Sequence, residues 1–178
     1  PAETDMSIRP GWFYHKNEKP HSLERLFDTY LKTVGNNSTF NLNIPPMPNG
    51  KFNDEDVKML EALGKMIEEE FKTNLAEGID FEIKEGFGET QPEYILKLPK
   101  SEMVKYIEIA ERISEGQRIE TFMVFAKNKN GGWDKTEQGT TIGSRKILRL
   151  DDTIETDEIK IRVTSSRDIP DIEWIKVY

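Results

Sequence analysis

The chain has 178 residues, with 25 Lys and Arg against 33 Asp and Glu, a formal charge of −8. That acidity argues against nucleic-acid binding, which needs clustered cations along the phosphates, and no run approaches the roughly 18–20 apolar residues of a membrane span. Zero cysteines exclude disulfides, thiol nucleophiles and Cys-ligated zinc, while 35% hydrophobic residues suffice to close a core.

In chain order, Pro1-Ala2-Glu3-Thr4-Asp5 lacks the charged end, apolar stretch and cleavage site of a signal peptide and reads as an internal segment. Residues 5–14 combine two breakers with the adjacent aromatics Trp12, Phe13 and Tyr14, which predicts a loop after a strand. A helix follows over about 22–34: Ser22 caps it, Leu23, Leu26, Phe27, Tyr30, Leu31 and Val34 recur at helical spacing, and Gly35 supplies a left-handed stop. Phe40, Leu42 and Ile44 alternate with Asn41 and Asn43 in a short strand closed by Pro45-Pro46. Asn53 caps the next helix, Asp54, Glu55 and Asp56 face the positive end of its dipole, and Val57, Leu60, Leu63, Ile67 and Phe71 form a buried stripe. Residues 1–72 therefore read as loop, helix, strand, helix, the alternation of an α/β protein.

From Ile79 the pattern changes to short strands, at about 79–82, 94–98, 103–108, 118–126, 145–149, 158–164 and 173–178. Asn130-Gly131-Gly132, Asp151-Asp152 and Ser165-Ser166 read as turns. Val104, Ile107, Ile119, Phe122, Val124, Ile159, Ile161, Val163, Trp174 and Ile175 are the expected core. Such spacing without helices means an antiparallel β-sandwich over 73–178.

The residue pattern alone leaves the chemistry open. Glu3 and Asp5 point the same way if extended, as paired carboxylates in acid/base work do, but a solvated pair fits equally. Arg9 with the Trp12-Phe13-Tyr14 run suits a sugar, whose C–H faces stack on rings, or else these rings are core. His15 and His21 have no third partner for a metal, and Gly131-Gly132 and Gly139–Gly143 lack the strand-to-helix context of a phosphate loop. Trp133 can serve as a sugar-stacking platform or as edge packing, and an acidic turn at Asp151-Asp152 can ligate a structural calcium with backbone oxygens or stay solvated.

The run from Pro1 to His15, with Ser22-Leu23-Glu24, Val34-Gly35-Asn36-Asn37 and Leu42-Asn43-Ile44-Pro45-Pro46, resembles the late-barrel segment of glycoside hydrolase family 29 α-L-fucosidases. Gly116-Gln117-Arg118-Ile119 with Phe122, Gly139-Thr140-Thr141-Ile142-Gly143 and Arg145-Lys146-Ile147 resemble the galactose-binding-like sandwich of the same enzymes. The likeness is closest to the subgroup favouring α-1,3 and α-1,4 linkages. It implies an α+β multidomain fold: the last β/α units of a (β/α)8-like barrel over 1–72, then an antiparallel discoidin-type β-sandwich over 73–178. It further implies a retaining hydrolase of fucosylated oligosaccharides, exported to the periplasm or beyond the cell and requiring no cofactor. Its two carboxyls face the bond across about 5 Å. Glu3 matches the acid/base; the nucleophilic Asp and most sugar-holding residues belong to barrel segments outside these 178 residues, so the chain alone is expected to be inactive. Arg9, Trp12 and Tyr14 are carried over as sugar contacts, and Asn43 as an anchor of the loop. Thr4, where relatives often have Cys, and Met47-Pro48-Asn49 depart from the pattern. The competing expectation is a non-catalytic sandwich that binds carbohydrate or buttresses a barrel.

Overall fold

The computed structural model describes residues 2–178. They divide into two compact units, one ending at Lys72 and the other spanning Thr73–Tyr178.

The first unit runs β1 (Ala2–Ser7), α1 (Leu23–Thr33), β2 (Ser38–Asn43), α2 (Asp54–Glu70). β1 and β2 are parallel, with Glu3 opposite Thr39, Asp5 opposite Asn41 and Ser7 opposite Asn43; parallel neighbours require a crossover, here α1. Ser22 Oγ accepts from the Arg25 N–H at 3.3 Å, and Leu26, Phe27 and Leu31 form the buried stripe of α1. The expected stop at Gly35 is not left-handed. That conformation falls on Asn37, with φ 64°, whose short polar side chain tolerates it. Asn53 Oδ1 accepts from the Glu55 N–H at 2.9 Å and starts α2.

The apolar stripe predicted for α2 is only partly realised. Leu63 is buried, but Val57 is 37% exposed, and the fully buried position of the first turn is Asp56. Asp56 lies in phase with Leu60, Leu63 and Ile67 and turns inward because its carboxylate meets the buried guanidinium of Arg9. An ion pair, not burial of Val57, sets the orientation of the helix start.

The second unit contains β3 (Glu82–Lys84), β4 (Glu93–Glu111), β5 (Ile119–Lys127), β6 (Trp133–Thr140), β7 (Lys146–Ser166) and β8 (Ile172–Val177), all paired antiparallel in the order β3-β4-β7-β5-β6. β8 joins the far end of the β4 edge that carries β3. β4 and β7 are long because each runs through both layers of the sandwich. Their pairing shifts register between Lys97 and Glu102 and between Val104 and Tyr106, and such irregularities let a strand turn a corner. Tyr94, Leu96, Phe122, Val124, Ile159 and Ile161 from one layer and Ile107, Ile109, Leu148, Ile175 and Val177 from the other form one core. Burial pushes the Tyr94 phenol up to about 12, so it remains a donor, bonding Pro170 O at 3.0 Å.

The bend explains three departures from expectation. The separate strands expected at 94–98 and 103–108 are one, as are those at 145–149 and 158–164, so Asp151-Asp152 is strand, not turn. Ser165-Ser166 likewise ends β7. The polar residues of the corner imitate turn chemistry because the bend exposes them. β6 was not expected at all: Trp-Asp-Lys-Thr-Glu-Gln-Gly-Thr carries little apolar alternation, and an edge strand needs little. Trp174 is half-buried, with the Lys176 ammonium 4.4 Å from its ring, while the rest of the expected core is buried.

Buried Glu111 ties two of the quoted motifs together. Its Oε1 accepts from the Arg118 and Ile119 N–H groups, both at 2.9 Å, and its Oε2 from the Gly143 N–H at 2.8 Å. A third close approach fixes Gly139: a Cβ there would lie 2.7 Å from the Phe122 ring.

Candidate functional site

The loop after β1 is pinned at both ends. The Ile8 N–H donates to Asn43 O at 2.9 Å, and the His21 N–H to Ile8 O at 2.7 Å. Ser7 Oγ donates to Gly11 O at 2.8 Å, and Asn43 Nδ2 donates to Ser7 Oγ at 3.1 Å and Trp12 O at 3.0 Å. Asn43 thus anchors the loop at the carboxyl end of β2. His21 is held below its ordinary value, first by burial and then by the Arg25 charge.

Arg9 is the centre of the loop. Its side chain is 1% exposed; Nε donates to both Asp56 oxygens at 2.9 Å, and Nη1 donates to His15 O at 3.3 Å and to Glu18 O. The guanidinium also lies 5.0 Å from the centre of the Tyr14 ring. Expected on the sugar side, Arg9 is instead committed to Asp56 and to two loop carbonyls, and it acts as a positioning residue. Tyr14 is half-buried, with Asn53 Nδ2 3.5 Å from its hydroxyl. The outcome is that Trp12 and Phe13 stand 55% and 80% exposed on a loop held by buried polar bonds. Gly11 leaves room for the Glu18 carboxylate, whose Oε2 is buried and lies 3.2 Å from where a Cβ would stand.

Glu3 and Asp5 are exposed on the face of β1 that also carries Ser7. Glu3 and Ser7 are four positions apart along the strand, roughly 13 Å. The structure therefore brings Arg9 and Tyr14 together and displays Trp12 beside them, but leaves Glu3 toward the other end of the strand. Among the described residues no three His, Asp or Glu side chains converge as a metal site. Asp151 and Asp152 are both exposed in β7, where its pairing with β4 is interrupted. Trp133 is not an open platform, since Lys160 Nζ lies 4.4 Å from its ring centre.

Sequence reasoning missed Asp56, read as a charge serving the helix dipole; the signal available was its phase, on the apolar stripe of α2. It also missed Glu111, which no local pattern distinguishes from a solvated strand residue.

The profile of the alpha-L-fucosidase family matches residues 1–70. Over 204 aligned positions the chain is 34% identical to alpha-L-fucosidase 1 of Arabidopsis thaliana, with all of this chain and 40% of the relative covered. It is homologous to the α-L-fucosidases of glycoside hydrolase family 29. The crystal structure of SpGH29 superimposes with a TM-score of 0.91 at 30% identity, covering 99% of this chain and 43% of that one. A Ruminococcus gnavus family 29 fucosidase in complex with fucose gives 0.88 at 30% identity, covering 99% and 40%. The chain spans about 40% of the length of the curated relatives it matches. The mostly antiparallel second unit is shared with these fucosidase structures, since the superpositions extend over nearly the whole chain.

Proposed function

We propose that this chain is the C-terminal part of a retaining α-L-fucosidase acting on α-1,3- and α-1,4-linked terminal fucose in branched glycans. The first unit supplies the last β/α units of a (β/α)8-like barrel, and the second a discoidin-type accessory sandwich. Glu3 protonates the glycosidic oxygen as the bond to fucose breaks, then takes a proton from the water that releases fucose from the enzyme. The nucleophilic aspartate comes from a barrel segment beyond these 178 residues.

The observation that carries this reading is the homology along the full chain to family 29 enzymes, one of them bound to fucose. The local geometry supports it. β1 and β2 pair only with each other among the described residues, whereas parallel sheets are built from several strands covered on both faces. The exposed Glu3 carboxyl is open to a substrate, and Trp12 and Phe13 stand at the carboxyl end of the strand pair, where barrel enzymes place their binding loops. Exposed on that loop, Trp12 and Phe13 are the candidates for contact with the aglycone side of a branched glycan, with Tyr14 supporting the loop.

The test is fucose release from a Lewis-type trisaccharide by the full-length enzyme and its Glu3→Gln variant. The variant should lose about 10²–10⁴-fold in rate, the contribution of a general acid/base. A rate near wild type would remove Glu3 from the chemistry.

A further inference from the structure

We propose that the outer face of the β4-β7-β5-β6 layer is a binding surface for an acidic glycan, one bearing carboxylate or sulfate groups, with its specific subsite in the cleft between β5, β6 and the start of β7. This surface lies wholly in the second unit, so its ligand binding is independent of any hydrolysis by the first.

The charge of the face opposes that of the chain. Cross-strand partners project to the same side, and the registers therefore place Lys84, Lys97, Lys127, Lys135, Lys160 and Arg162 on the outer face with only Glu82, Glu93 and Glu158. Each of those carboxylates is already held by a cation: Glu82 by Lys84 at 3.7 Å, Glu93 by Arg162 at 2.6 Å and Lys160 at 3.7 Å, and Glu158 by Lys127 at 2.5 Å. A positive surplus on a molecule of charge −8 draws an anion to this face. Phe125 and Trp133 stiffen it, the Lys160 ammonium lying 5.2 and 4.4 Å from their ring centres.

Beside this surplus the face opens into a cleft of about 580 Å³. Its lining has the two components a pyranose requires. Met123 and the edge of Phe122 give an apolar floor for C–H groups, and Thr121, Gln138, Thr140 and Thr164 give hydroxyl and amide groups for sugar hydroxyls. Thr121 and Thr164 are bonded to each other at 2.7 Å, an arrangement that fixes both rotors while leaving one hydroxyl hydrogen for a ligand. Gly139 packs its bare Cα against the buried Phe122 ring and Lys146, where a Cβ would lie 2.7 Å from Phe122 and 3.5 Å from Lys146 Cε. Lys146 brings a cation to this lining, its Nζ donating to Thr140 O at 3.3 Å. Burial holds its amine below the ordinary lysine value, so a ligand anion that meets it acts at a partly desolvated charge.

The test is titration of the folded chain with a heparin hexasaccharide, a galacturonate hexasaccharide and the neutral maltohexaose, followed by calorimetry and by amide chemical shifts. Binding of either acidic oligosaccharide, weakening with salt and shifting Thr121, Gln138, Thr140 and Thr164, is expected. Lys146→Gln should weaken it about tenfold, the worth of one charge-assisted bond, and Gln138→Ala should weaken it with the fold intact by circular dichroism. Equal binding of maltohexaose, shifts confined to other surfaces, variants that bind like the parent, or no binding at millimolar oligosaccharide would each overturn the proposal.

Discussion

The Arg9–Asp56 pair is the strongest mechanical claim about the loop, and removing Asp56 tests it. Both side chains are essentially unexposed, and Nε lies 2.9 Å from each carboxylate oxygen. Asp56→Ala would leave a guanidinium buried without its counter-charge, a loss of about 3–5 kcal/mol. A unit of this length holds about 4–11 kcal/mol in total, so the variant should be close to unfolding while the second unit is unaffected. Reversing the order of removal gives a sharper result. Arg9→Met with Asp56→Leu deletes both charges, and a paired apolar replacement of a buried ion pair is often neutral or better. The double variant should therefore recover most of the stability that the single one loses. Urea titration followed by Trp12 fluorescence reads the first unit, because the other two tryptophans, Trp133 and Trp174, lie in the second. Since both groups are out of solvent, the cost of Asp56→Ala should change little between 0.1 and 1 M salt, where exposed pairs are screened at about 10 and 3 Å. Additive single losses in the double variant, or a cost of Asp56→Ala below about 1 kcal/mol as for an exposed pair, would refute the assignment.

Three further outcomes follow from the second unit. Glu111→Ala strips acceptors from the buried Ile119 and Gly143 N–H groups and the part-buried Arg118 N–H, and should cost at least about 2 kcal/mol, at about 1–3 kcal/mol for each buried donor left unmet; a thermal unfolding midpoint near wild type would refute that role. Gly139→Ala forces a methyl against Phe122 and should destabilise by about 1–3 kcal/mol through overpacking, with Gly139→Ala/Phe122→Leu recovering part of the loss in chemical denaturation. Glu137 has its carboxyl raised above the ordinary 4.5, first by burial and then by the Asp151 charge. Its folded form therefore binds a proton more tightly than its unfolded form, contributing stability present below about pH 4.5 that is lost as pH rises through the raised value. Glu137→Gln should accordingly be more stable than the parent at pH 7, the advantage vanishing toward pH 4, and a pH-independent difference would contradict the cause.

Periodicity made the first unit readable because each signal there is local. Ser22 and Asn53 cap the helices they were expected to cap, and alternation at Phe40 and Leu42 marks β2. What stayed hidden depends on partners distant in sequence. Nothing near Asp56 says that Arg9, 47 residues away, will be buried beside it. β4 and β7 looked like four strands because a corner exposes polar residues just as a turn does, and β6 was invisible because an edge strand is not required to alternate. The loop was legible as aromatic and breaker-rich, but not which of its side chains would face outward. Trp12 and Phe13 do, Arg9 does not, and the difference is made by the buried carboxylate and the two loop carbonyls that hold it. Gly139 and Gly143, quoted as parts of a motif, owe their places to Phe122 and Glu111, contacts only the folded sheet reveals.

The most direct test of the proposed chemistry is azide rescue of Glu3→Gly in the full-length enzyme with an aryl α-L-fucoside, reading the anomeric configuration of the product by NMR. An acid/base deleted from a two-step displacement leaves the covalent intermediate to be captured by azide, so the product should be a fucosyl azide with the substrate's own configuration. An azide of inverted configuration would make Glu3 the nucleophile, and unimpaired hydrolysis with no azide product would show that Glu3 takes no part in the reaction.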